Sequence, residues 1–206
     1  FISVLGGENL LFKNEFGIFK DITYSAGVEE PFYSFPSWIW DVNNDGYNDI
    51  FVASYDLRNL SNLASDFVDE VEGKSVQSEK SKLFINNGDE TFTESSVDFN
   101  IDISMYAMGS NFGDIDNDGW LDFYIGNGSP EFTSTIPNRM FRNLGGNKFE
   151  EVTLAGRFGH TQKGHGVGFA DLDNDGDQDI YAVMGGAFEG DKYPNVCFEN
   201  PDTENN

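Results

Sequence analysis

The chain has one cysteine, Cys197, so no disulfide can form within it. It has two histidines, and only 12 Lys and Arg against 36 Asp and Glu, for a formal charge of −24. That shortage of cations excludes nucleic acid and other polyanions as partners, whose affinity comes from Lys and Arg neutralising phosphates. It disfavours an anionic membrane surface for the same reason. No run reaches the roughly 18 apolar residues needed to span a bilayer. Phe1-Ile-Ser-Val-Leu5 is too short for a signal peptide and lacks a basic start. Without an initial Met, the expectation is a processed product or a piece of a longer chain.

Catalytic signatures are equally scarce. No Gly-x-Ser-x-Gly elbow occurs, and nothing pairs Cys197 with a base. His160 and His165 are an odd number of residues apart in a Gly-rich segment, so an extended backbone turns them to opposite faces and a joint metal site is not expected. Bulky apolar material is plentiful, with 20 Phe, 8 Tyr and 3 Trp, so 206 residues can bury a sizeable core.

Three nine-residue stretches organise the rest: Asp41 to Asp49, Asp114 to Asp122 and Asp171 to Asp179. Each carries an oxygen-bearing side chain at positions 1, 3, 5 and 9 and Gly at position 6. The candidate ligands are Asp41, Asn43, Asp45 and Asp49; Asp114, Asp116, Asp118 and Asp122; and Asp171, Asp173, Asp175 and Asp179. The carbonyls of Tyr47, Trp120 and Asp177, at position 7, are the expected backbone ligands. A hard cation such as Ca²⁺ takes six to eight oxygens at about 2.3–2.6 Å, which alternate side chains plus one carbonyl can supply. A lone cluster of this kind is as readily a solvated turn, but three with one spacing point to three Ca²⁺ sites. Three ions would bring the charge to −24 + 6 = −18. The twelfth positions are Val52, Ile125 and Ala182 rather than Glu, so these are not EF-hands. Each loop instead runs into a β-branched and aromatic strand such as Ile50-Phe-Val-Ala53.

A second pattern repeats with them. Leu11-Phe-Lys-Asn14, Leu83-Phe-Ile-Asn86, Met140-Phe-Arg-Asn143 and Cys197-Phe-Glu-Asn200 start 72, 57 and 57 residues apart. Tight turns follow the first three, then second strands beginning at Phe19, Phe92 and Phe149. Four short strands per period predict an all-β chain of β-propeller blades, each of four antiparallel strands. About three blades are expected: blade parts at 10–23, a blade at 33–97, a blade at 106–153 and a partial blade at 164–200, in one domain over 1–206 with the ring incomplete. Gly109, Ser110, Gly113, Gly164, Gly166 and Gly168 would suit crowded inner strands, or mark bends. The insertion at 56–82 predicts an amphipathic helix over Asp56 to Glu72, stopped by Gly73, followed by a loose polar stretch from Ser75 to Lys82.

These residues resemble the FG-GAP and VCBS repeats of calcium-binding propellers, as in integrin α-subunit heads, and most closely those found beside ASPIC/UnbV domains. The resemblance rests on Phe149-Glu-Glu-Val-Thr153 with Ala155-Gly156, on Phe19-Lys-Asp-Ile-Thr23 with Ala26-Gly27-Val28, and on Gly168 through Tyr181. It covers nearly all of residues 10–200, and implies that the strands leading into the loops are innermost. Many activities ride on this scaffold, so function must come from the site. The expectation is a secreted or surface-exposed, calcium-stabilised, non-catalytic module contacting protein or glycan, or further blades of the same or another chain. The alternative is the propeller body of a polysaccharide-degrading enzyme. Asn59-Leu-Ser61 and Asn127-Gly-Ser129 match the N-glycosylation acceptor.

Overall fold

A computed structural model describes residues 1–132 and 135–200. Its contacts define two compact units, Phe1–Tyr106 and Ala107–Asn206. The expected all-β architecture of antiparallel blades is present in both. Among the described residues no helix is long and apolar enough to cross a membrane.

In the first unit, β1 (Phe12–Glu15) and β2 (Ile18–Asp21) form a hairpin. A four-stranded sheet follows, in the order β3 (Ser34–Trp40), β4 (Asp49–Ser54), β5 (Lys82–Asn86), β6 (Phe92–Glu94). Every residue of β4 is buried, which is why it reads as a continuous apolar run rather than an alternating one. Ile50 and Val52 pack with Phe84, Ala26 and Val28, joined by Leu11 and Ile22 from beside the hairpin. Phe51 meets Trp38, ring centroids 4.4 Å apart.

The second unit holds a sheet of β7 (Ala107–Gly113), β8 (Asp122–Asn127), β9 (Arg139–Asn143) and β10 (Phe149–Glu151). Beside it is a three-stranded sheet of β11 (Gly164–Ala170), β12 (Asp179–Met184) and β13 (Val196–Phe198). Tyr124 and Met140 pack against Ile180, Ala182 and Met184. β7 and β11 approach so closely that a Cβ on Gly109 would stand 1.5 Å from the His165 carbonyl oxygen, and one on Gly164 would stand 2.6 Å from the Gly126 Cα. Gly113 is similarly confined by Phe169. Gly168 has open space around it, so crowding does not explain that glycine. Gly109 and Gly164 also border register shifts, so close approach and bulge coincide there.

The outer strands are shorter than the sequence pattern suggests. At the end of each outer hairpin a hydroxyl replaces a ladder carbonyl: Thr23 Oγ1 accepts from Leu11 N, Ser96 Oγ from Leu83 N, and Thr153 Oγ1 from Met140 N. A carboxylate two residues earlier holds that position each time, Asp21, Glu94 and Glu151.

The insertion departs from expectation. Leu57–Asn62 is a 3₁₀ segment, and α1 (Leu63–Val71) is the α-helix. Asp56 accepts from Arg58 N at the start, and the non-helical φ of −122° at Asn59 interrupts the run. The apolar stripe is only partly used: Leu63 is buried, but Val68 and Val71 are exposed. Buried Asp66 is the stronger anchor, accepting from Tyr106 Oη at 2.9 Å, from Asn59 Nδ2 at 2.6 Å and from Ser78. The stretch expected to be loose is tied down, because Glu79 donates its N–H to Asp56 and its carboxylate accepts from Phe32 N and Tyr33 N.

Candidate metal centres

Loop 1 (41–49) joins β3 to β4, loop 2 (114–122) joins β7 to β8, and loop 3 (171–179) joins β11 to β12. One set of hydrogen bonds folds all three. The first carboxylate accepts from the N–H groups of positions 5 and 6: Asp41 from Asp45 and Gly46 (3.0 and 2.8 Å), Asp114 from Asp118 and Gly119 (3.1 and 2.9 Å), Asp171 from Asp175 and Gly176 (both 3.1 Å). The fifth accepts from position 7, at Tyr47, Trp120 and Asp177. Gly46, Gly119 and Gly176 have φ of 92°, 88° and 103°, where a Cβ would be strained. The preceding Asn44, Asn117 and Asn174 are also left-handed, which accounts for Asn at the fourth position three times over.

The ninth carboxylate is buried and bridges two parts of its sheet. Asp49 accepts from Val42 N and Asn86 N (2.9 and 2.8 Å). Asp122 accepts from Ile115 N and Asn143 N (2.9 and 2.7 Å), and Asp179 from Leu172 N and Asn200 N (2.8 and 2.9 Å). The Asn of the Leu-Phe-x-Asn pattern is therefore a clamp. Asn86 and Asn143 also accept, at the side chain, from Gly88 N and Gly146 N in the following turn. Its recurrence is visible in sequence, but its role as partner of the ninth Asp is not.

Asp114, Asp116 and Asp122 bring one oxygen each to within 4.8 Å of one another, and so do Asp171, Asp173 and Asp179. Asp118 and Asp175 are outside these close groups. Loop 1 forms no such trio, because Asn43 holds the third position and donates its amide to Asp45 at 2.9 Å. Crowded like charges and burial both oppose ionisation. Asp122 is pushed up to about 7, chiefly by burial and then by Asp116 and Asp118, against the opposing N–H groups of Asn143 and Ile115. Asp49 is raised by burial, Asp116 by burial and Asp118, and Asp173 by desolvation and Asp175. Such clusters of oxygen donors, without nitrogen or sulfur, fit a hard divalent cation, which would neutralise the mutual repulsion.

Contacts beyond the loops complete the site. Arg142 Nε lies 3.2 Å from Asp116 Oδ2. Gln178 Oε1 accepts from Asp114 N at 3.0 Å, and Asn117 Nδ2 donates to Asp177 Oδ1, so loops 2 and 3 are bonded to each other. The histidines are engaged separately, His160 with Gln162 and His165 with the Gly185 carbonyl.

Antiparallel sheets that each turn through an Asp-lined corner between their first two strands define a propeller-like repeat protein with candidate cation loops. The chain belongs to the FG-GAP-like repeat family, whose model matches residues 41–125 and 126–182. No curated protein matches it.

Proposed function

We propose that the chain is a calcium-stabilised, non-catalytic module of extracellular or cell-surface location that presents its loops to a protein or glycan partner. The supporting observation is the shared hydrogen-bonded construction of the three loops, together with the convergence of three carboxylates in each of loops 2 and 3, which keep lone pairs free after accepting their N–H bonds. Ca²⁺ suits this better than Mg²⁺, because such loops offer many oxygens in a flexible arrangement, whereas Mg²⁺ demands near-ideal octahedra and keeps its waters. The carbonyls of Tyr47, Trp120 and Asp177 would complete the ligand sets. Loops of Asp and Asn suit millimolar calcium, which is extracellular.

The test is calorimetric titration of the chelator-treated protein. Three Ca²⁺ per chain are expected, one lost in each of Asp45→Ala, Asp118→Ala and Asp175→Ala. A flat titration in millimolar calcium would overturn the reading. At a hundredfold excess over Kd each ion adds about 2.7 kcal/mol of stability. For a chain of this size that is roughly 5–10 °C of Tm per site.

A further inference from the structure

One residue beside each loop differs in sign from blade to blade. The ladders register Ile50 with Phe84, Phe123 with Phe141 and Ile180 with Phe198. One step further along, Ile85 faces Asp49, Arg142 faces Asp122 and Glu199 faces Asp179, so the residue before each clamping Asn lies across from the ninth carboxylate. At loop 2 this residue is a cation whose Nε is 3.2 Å from Asp116, with the two side chains 43 % and 32 % exposed. At loop 3 it is an anion whose charge is felt at Asp173. At loop 1 it is apolar.

We infer that Arg142 and Glu199 are affinity-setting residues: Arg142 weakens the loop 2 cation site by competing for Asp116, and Glu199 strengthens the loop 3 site by adding negative charge. This rests on the calcium reading of the loops. A dication that uses Asp116 must share that carboxylate with a guanidinium and sit beside its positive charge, whereas Glu199 attracts the ion. Affinity in oxygen-ligand loops follows the charge around the ion. One unit charge about 8 Å from a dication in a water-like dielectric changes it by about fivefold, and by more at closer range. Loops 2 and 3 have the same ligand residues at positions 1, 3, 5 and 9, so ligand count alone predicts equal sites, and the inference predicts loop 3 tighter.

Calcium titration of the full chain tests this, with Asp118→Ala and Asp175→Ala backgrounds assigning each heat to its loop. Arg142→Ile, which copies the loop 1 residue, is expected to tighten the loop 2 site about fivefold. Arg142→Lys, which keeps the charge, should stay close to wild type. Glu199→Gln should weaken the loop 3 site by a similar factor, and both effects should shrink as salt is raised. Arg142→Gln gives the same readout should the Ile variant fail to fold. Wild-type binding with unchanged affinities in Arg142→Ile, Arg142→Gln and Glu199→Gln would overturn the inference alone. Absence of calcium binding by the wild type would overturn the calcium reading beneath it.

Discussion

The two ends of each sheet repeat to different degrees. At one end lie the acidic loop and the hairpin turn, joined by the same bond each time: a clamping Asn donates its N–H to the ninth Asp, at Asn86, Asn143 and Asn200. At the other end lie residues 55–81, 128–132 with 135–138, and 185–195. These share one bond, from the last N–H of the second strand (Ser54, Asn127, Met184) to the side chain just before the third (Ser81, Asn138, Asn195), and otherwise differ among the described residues. The first is held by Asp56 with Arg58 and by Asp66 with Tyr106. The second adds a bond from the Asn138 amide to the Gln162 carbonyl. The third turns on Asp191, paired with Lys163. Repetition is densest where three chain crossings must supply acceptors to the same N–H groups around one point. Beyond that one shared bond, a connection that only has to cover its own sheet is free to vary, and different satisfied polar pairs serve.

The largest effect is expected at the variable end. Lys163 and Asp191 are 2 % and 3 % exposed, and Lys163 also donates to the Pro130 carbonyl. Removing one partner leaves the other charge buried without compensation. Lys163→Met should therefore cost about 3–5 kcal/mol in denaturant titration, and Lys163→Met with Asp191→Leu should recover most of it. Calcium binding at loop 2 should be unchanged in the folded variant. A loss below about 1 kcal/mol would show that this connection is held by something other than the ion pair.

At the repeated end the comparison separates structure from ligation. Asp122→Ala leaves Ile115 N and Asn143 N without their acceptor in a buried place, and should cost about 2–4 kcal/mol even in chelator. Asp118 is exposed and accepts only from Trp120 N within the loop, so Asp118→Ala should remove an ion while leaving chelator-treated stability within about 1 kcal/mol of wild type. Equal losses in chelator would mean that the ninth carboxylate is merely another ligand.

A pH effect distinguishes the ends further. Burial opposes the charge of Asp56, but the Arg58 side chain and the N–H groups of Glu79 and Arg58 outweigh it, holding Asp56 below the usual carboxylate range. The folded state then binds its proton less readily than the unfolded state. Its stabilising contribution is complete above the unfolded value of about 3.9 and is lost as pH falls through the folded one. Wild type should exceed Asp56→Asn in stability near neutrality, with the gap closing toward a pH of about 3. A constant gap would assign the effect to shape rather than charge.

The difference between the ends also explains what could be read in the chain beforehand. Position 6 glycines, the spacing of Asp and the Leu-Phe-x-Asn pattern are local, repeated three or four times, and translate directly into loops and strands. Asp66 is one of three acidic residues in α1, with Asp69 and Glu70, and helical periodicity alone assigns it to solvent with them. Its partners Ser78 and Tyr106 are distant in sequence, and only the fold brings them to it. Arg142 is of the same kind. It occupies a variable place in a repeated motif, and its meaning depends on which loop lies across the ladder.

The smallest effect expected concerns the two loops bonded to each other. Asn117 and Asp114 of loop 2 reach Asp177 and Gln178 of loop 3. An ion in loop 3 fixes positions 7 and 8, and with them an acceptor for Asp114 N and another for the Asn117 amide. Order at one site should therefore lower the conformational cost of ordering the other. Asp177→Ala with Gln178→Ala should reduce the coupling between loops 2 and 3 by a few-fold in affinity, while each site still binds when the other is disabled. The coupling is the loop 2 affinity in the otherwise wild-type chain against that in Asp175→Ala, and linkage requires the reciprocal ratio for loop 3 in Asp118→Ala to match. Loop 1 supplies no residue to these two bonds, so Asp177→Ala with Gln178→Ala should leave its affinity unchanged. Coupling that survives the double substitution would have to run through the β7 and β11 contact at Gly109 instead.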